Sequence, residues 1–108
     1  MGPDIEATLE DIEAIIRADG AEEMTLPERA GMFAALKQLC SKLRKTLTED
    51  GRLSTYAAEK LSKVGHHGAG IFGFEETGRM DRAAQRQFAY ADLHVLKGEI
   101  ERQYGGAE

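Results

Sequence analysis

Cysteine is nearly missing from this chain: Cys40 stands alone among 108 residues, so no intrachain disulfide can form. Proline is almost as scarce. Pro3 and Pro27 are the two present, and the long stretches between and after them are free to be helical. No apolar run approaches the length that spans a bilayer. The opening residues, MGPDIEATLED, are acidic where a signal peptide would be basic and then apolar. Met1-Gly2 begins like a myristoylation site, but Glu6 occupies the place of the required Ser or Thr. These absences lead us to expect a cytoplasmic protein with no membrane partner.

What is present fits one small domain. Apolar residues make up 42% and charged residues 31% of the chain, an ordinary soluble composition. The net charge of −5 is unevenly spread. Residues 1–28 carry nine acids and one base, whereas residues 29–64 carry eight bases and three acids. An acidic leading segment thus precedes a basic middle, which hints at partners of both signs or at an arm lying over the basic surface.

Helical periodicity runs through most of the sequence. Ile5, Leu9, Ile12 and Ile16 recur at helical spacing over residues 4–18, with Asp4 as a cap and Gly20 as a stop. The other face of that helix is nearly all carboxylate. Residues 1–24 therefore read as an acidic amphipathic arm, packed on its own domain or docking its apolar stripe on a partner. Thr25 and Glu28 form a capping box, with Pro27 in the first turn, and open a helix to about residue 47. Its stripe is Phe33, Leu36, Cys40, Leu43 and Leu47, so Cys40 is a small core residue. Glu49-Asp50-Gly51 marks a turn. Ser54 caps a short helix expected over 55–64, with Gly65 ending it.

The last helix, about 79–104, carries two apolar stripes. Met80, Phe88 and Val95, with Ala84 and Ala91, share one face. Leu93, Leu96, Ile100 and Tyr104 share nearly the opposite one. One stripe suffices to bind a helix to its own domain, and a second invites a neighbouring subunit, or else a central place in a monomeric bundle covered on both sides by its own chain. The expected fold is all-α: short helices plus a long C-terminal helix, forming a helical hairpin or bundle that oligomerises. Residues 25–108 would be the oligomerisation domain. Its interface candidates are the residues of both stripes together with Phe72 and Phe74, which pack into the chain's own core or dock on a neighbouring subunit.

Between the last two helices lies GHHGAGIFGF, residues 65–74. It contains G-x-G-x-x-G, yet no strand precedes it, as a dinucleotide loop requires. His66 and His67 are adjacent, and no recognisable spacing links them to Cys40 or His94 as a metal site. Residues 65–78 read instead as a glycine-rich connector.

Chemistry-bearing patterns are few. No nucleophile motif is present, and we expect a non-enzymatic protein without a cofactor or metal. Lys37, Lys42, Arg44, Lys45, Arg52, Lys60 and Lys63 could contact duplex DNA weakly and without sequence preference. No aromatic interleaving suits them to single strands, and no recognition helix is evident. His94-Val95-Leu96-Lys97-Gly98 resembles the H-x-L-K-G core of histidine phosphotransfer domains. That resemblance implies a phosphoryl-accepting His94, with Lys97 and Gly98 on the same side. In that family further helices follow the histidine helix, and small residues follow Lys-Gly, where this chain has Glu99 and Ile100.

In size, organisation and charge, residues 25–104 resemble the small terminase subunits of tailed phages and gene transfer agents. The resemblance implies a catalytically inert ring that brings DNA to a large motor subunit. Many members begin with a helix-turn-helix domain. Here the acidic arm stands in its place, with Ile5, Leu9, Ile12 and Ile16 as the stripe for a protein partner. A generic helical interaction module is the remaining alternative.

Overall fold

The computed structural model describes residues 2–18, 20–74 and 81–105. Four α-helices account for most of them: α1 (Pro3–Arg17), α2 (Leu26–Glu49), α3 (Thr55–Ile71) and α4 (Arg82–Gly105), with a 3-10 turn at Ala21–Glu23. No strand occurs among the described residues, and the fold is all-α.

Local chemistry explains the helix ends. Gly2, not Asp4, is the N-cap of α1. Pro3 stands in the first turn, where its missing N–H costs nothing, and Asp4 and Glu6 face the positive end of the helix dipole. The Thr25 capping box is complete. Glu28 N–H donates to Thr25 Oγ1 at 3.3 Å, and Thr25 N–H donates to Glu28 Oε1 at 3.1 Å. The Ser54 hydroxyl accepts from Ala57 N–H at 3.0 Å. Asp81 does the same for Ala84 at 2.8 Å and opens α4 slightly later than the pattern predicts.

The largest departure from expectation is α3. Residues 65–71 are helix rather than connector, and the helix passes Gly65, Gly68 and Gly70 before it stops. Gly73 is the stop. It has φ 80°, its N–H donates to Gly70 O at 3.2 Å, and Phe74 N–H donates to Ala69 O at 2.8 Å. This is a Schellman closure, repeated after α2, where Gly51 has φ 67° and Arg52 N–H reaches Leu47 O at 2.8 Å. Two of the internal glycines serve close helix approach. A Cβ on Gly68 would overlap Leu36 Cδ2, and one on Gly70 would lie 2.7 Å from Gln85 Cδ. Glycine was thus chosen for proximity, at a propensity cost of about 1 kcal/mol per position.

The helices pack in chain order, α1 on α2, α2 on α3 and α3 on α4, and α1 closes the ring against α4. Cross-helix contacts run antiparallel: Leu36 meets Gly68 while Arg44 meets Ala58, and Lys60 meets Asp92 while His67 meets Gln85. The result is an up-down-up-down bundle. Its core holds Ile12, Ile16, Leu36, Leu43, Leu47, Leu61, Val64, Ile71 and Phe72, all essentially sealed from solvent. Each such side chain contributes roughly 1.5–3 kcal/mol.

This packing reassigns several residues. Of the two placements open to the stripe of Ile5, Leu9, Ile12 and Ile16, its own domain or a protein partner, the chain's own core covers it. Arg86 fastens that end of α1, donating to Ile16 O at 3.0 Å and Ala18 O at 2.9 Å. Leu93, Leu96 and Ile100, read as interface candidates, belong to the same core, as does Phe72. They lie on the side of α4 that faces inward, so the bundle itself uses that stripe. Met80 lies outside the described residues.

Candidate functional site

Three surfaces carry the residues singled out by sequence. The first is the outer face of the α3–α4 pair. Here Phe88 is 50% exposed and Tyr56 47% exposed, while Val95 is half-buried. Between the two aromatics runs a polar chain. Lys60 Nζ lies 5.4 Å from the Tyr56 ring centroid and 3.5 Å from Asp92 Oδ1. His67 Nε2 lies 3.4 Å from Asp92 Oδ2, its Nδ1 lies 2.7 Å from Gln85 Oε1, and its ring stacks on Phe88 at 5.5 Å. Gln85 is buried beneath this chain. Periodicity marks Phe88 and Val95, but not the network below them. Its partners stand up to 32 residues apart, and only the antiparallel register of α3 and α4 brings them together. The adjacent histidines were the one visible signal.

The second surface is basic. Lys37, Lys42 and Lys45 are exposed along α2, and Lys63 is exposed on α3, where it pairs with Glu59 at 3.2 Å. The other candidates are engaged within the chain. Lys60 belongs to the Asp92 network, and the Arg52 guanidinium lies over the Tyr104 ring at 5.6 Å. Arg44 Nη2 donates to Ser62 Oγ at 3.0 Å and to Ala58 O at 3.4 Å, which spans α2 and α3. Beside it a groove of about 230 Å³ is lined by Lys37, Cys40, Ser41, Arg44, Leu61, Ser62 and Gly65. Burial pushes the Cys40 thiol up to about 11, against the pull of Arg44, which disfavours its thiolate, and the side chain packs partly buried against the core. Beyond this groove, Phe74 stacks on Phe33 at 5.5 Å, with Arg29 over its outer face. Arg29 also donates to Phe72 O at 2.8 Å, which ties the end of α3 to α2.

The third surface surrounds His94. The imidazole is exposed midway along α4, and a Cβ on Gly98, one turn later, would meet nothing within 4 Å. Lys97 is turned toward α1, where Nζ lies 3.4 Å from Glu13 Oε1. Glu6, Glu10 and Glu101 line the adjoining hollow. The His-Lys-Gly trio is therefore on one helix, but its cation is paired.

Among the described residues no group of three or more His, Cys, Asp or Glu side chains is placed to hold a metal ion, and no helix is long and apolar enough to cross a membrane. Comparison with protein-family models, curated proteins and solved structures finds no match for this chain.

Proposed function

We propose that the chain is a non-enzymatic, cytoplasmic helical adaptor that assembles with copies of itself. In this reading it acts like a small terminase subunit of a phage-type DNA-packaging machine. It holds duplex DNA weakly and without sequence preference, and recruits the large motor subunit. The observation that carries self-assembly is the half-exposed Phe88, with Tyr56 and Val95 on the same α3–α4 face. Large apolar side chains left outside a sealed core favour a protein contact, and aromatic residues anchor such contacts. With Leu93, Leu96 and Ile100 taken by the core, this face is the one on which α4 meets a neighbour. The exposed lysines of α2 support the DNA contact. On α1 the outward carboxylates Glu6 and Glu10 support recruitment of a basic partner surface, since the apolar stripe is covered.

Light scattering after size exclusion tests the reading. The wild type should elute as a closed higher oligomer. Phe88→Ser and Tyr56→Ser, both at exposed positions, should lower the mass while leaving helicity intact. A wild-type monomer at high concentration would overturn it.

One observation favours a second reading. His94 is solvent-facing at mid-helix in a four-helix bundle, beside an open Gly98. That is the access a histidine phosphotransfer protein needs, although the Lys97–Glu13 pair weakens the local positive charge. Phosphoryl transfer from a phosphorylated receiver domain, abolished by His94→Gln, would establish it in place of the adaptor.

A further inference from the structure

We propose that the groove between α2 and α3 is a phosphate seat, built around Arg44, and that it is the point where the chain grips the backbone of duplex DNA. The inference rests on the DNA-binding part of the adaptor reading and sharpens it. Of the seven basic residues marked by sequence, most offer only a mobile charge on an exposed helix, or are turned to an acid or an aromatic ring of the chain. Arg44 differs. Its Nη2 is fixed by Ser62 Oγ at 3.0 Å and Ala58 O at 3.4 Å. A guanidinium carries five N–H donors in a planar fork, so bonds at one nitrogen leave donors on the others for an anion in the groove that Arg44 lines. Lys37 stands on the same wall, steadied 4.7 Å above the Phe33 ring. Ser41 and Ser62 add hydroxyl donors.

The rest of the lining also suits an anion. None of the lining residues is acidic. Gly65 opens the α3 side, since a Cβ there would meet nothing within 4 Å. The groove holds about 230 Å³, and a water takes up roughly 30 Å³ of liquid, so a phosphoryl group enters with part of its hydration. Charge-assisted bonds from a pre-oriented arginine and a lysine are what phosphate recognition uses. The same chemistry would accept free inorganic phosphate. Only the backbone source depends on the adaptor reading.

The test uses the full chain with two probes, inorganic phosphate and a random-sequence duplex of about 20 base pairs. Phosphate titration is followed by amide shifts, and duplex binding by fluorescence anisotropy over a range of salt. We expect phosphate to shift Ser41, Ser62 and Gly65 specifically. Arg44→Gln should abolish those shifts, weaken duplex binding about tenfold, and lower the salt slope by about one. Ser41→Glu leaves the Arg44 bonds in place and sets a carboxylate in the groove. It should act the same way, and so separates the seat from any loss of folding. Lys45→Gln, outside the groove, should cost about twofold. Duplex binding that Arg44→Gln and Ser41→Glu leave no weaker than Lys45→Gln would overturn the seat while leaving the DNA reading standing. Shifts with phosphate but no duplex binding would uphold the seat for free phosphate and overturn the DNA reading. Neither shifts nor duplex binding would overturn both.

Discussion

Gly65, Gly68 and Gly70 stand in one helix, yet alanine at these sites should change stability in opposite directions. Alanine gains about 1 kcal/mol over glycine inside a helix when nothing else changes. At Gly65 a Cβ would meet no atom within 4 Å, so Gly65→Ala should stabilise by close to that amount. At Gly68 the added methyl would overlap Leu36 Cδ2, and Leu36 is fully buried. Either Leu36 leaves its rotamer or α2 and α3 move apart, and overpacking of this kind costs about 1–3 kcal/mol. The net result should run from near zero to a loss of about 2 kcal/mol once the propensity gain is set against it. The gap between the two variants is then about 1–3 kcal/mol, or at least about 4 °C in Tm for a domain of this size. Urea and thermal unfolding followed by circular dichroism would read it. Trimming the neighbour supplies an internal control: Leu36→Val should cost Gly68→Ala less than it costs the wild type. Equal stability of Gly65→Ala and Gly68→Ala would refute the close approach of α2 and α3. A destabilised Gly65→Ala would refute a helix through that residue.

Other perturbations have equally definite outcomes. Arg86→Met removes the two charged bonds to Ile16 O and Ala18 O. It should cost about 2–3 kcal/mol and raise hydrogen exchange in α1 more than in α3. Burial and the hydroxyl bond to Asp50 push the Tyr104 phenol up to about 12 from 10.0. Its contribution is therefore complete below pH 10.0 and lost as pH rises toward about 12, and Tyr104→Phe should flatten alkaline unfolding over that range. The Thr25 backbone N–H, then its hydroxyl, hold the Glu28 carboxyl below its ordinary 4.5. That stabilisation is present above 4.5 and fades as pH falls through the lower folded value. Glu28→Gln should remove this part of the acid dependence, as read by unfolding midpoints in an acid series.

Much of the fold was legible because its cues are local. The Thr25–Glu28 box and the Ser54 cap are short-range hydrogen bonds between residues three apart, and both form as the sequence implies. The Ile/Leu spacing of α1 needs no knowledge of its partner. The course of α3 was not legible for the opposite reason. Whether a glycine ends a helix or admits a neighbour depends on what lies across from it, and Leu36 and Gln85 are distant in sequence. The same limit applies to α4. Its two apolar stripes are evident from periodicity, but which one faces the core is settled by where α1 and α3 lie. The basic residues were identifiable by type. Which of them are fixed, paired or exposed depends on Ser62, Ala58 and Asp92, supplied by other helices.

The succession of helix contacts also has a kinetic consequence. α1, α2 and α3 each pack on the next helix in the chain, so most of the core assembles across short loops at low entropic cost. Low contact order predicts fast folding. Only the seam between α1 and α4 joins the two ends of the sequence, so it is expected to close last. Destabilising that seam, at Arg86 or at the Lys97–Glu13 pair, should therefore speed unfolding and leave the folding rate nearly unchanged.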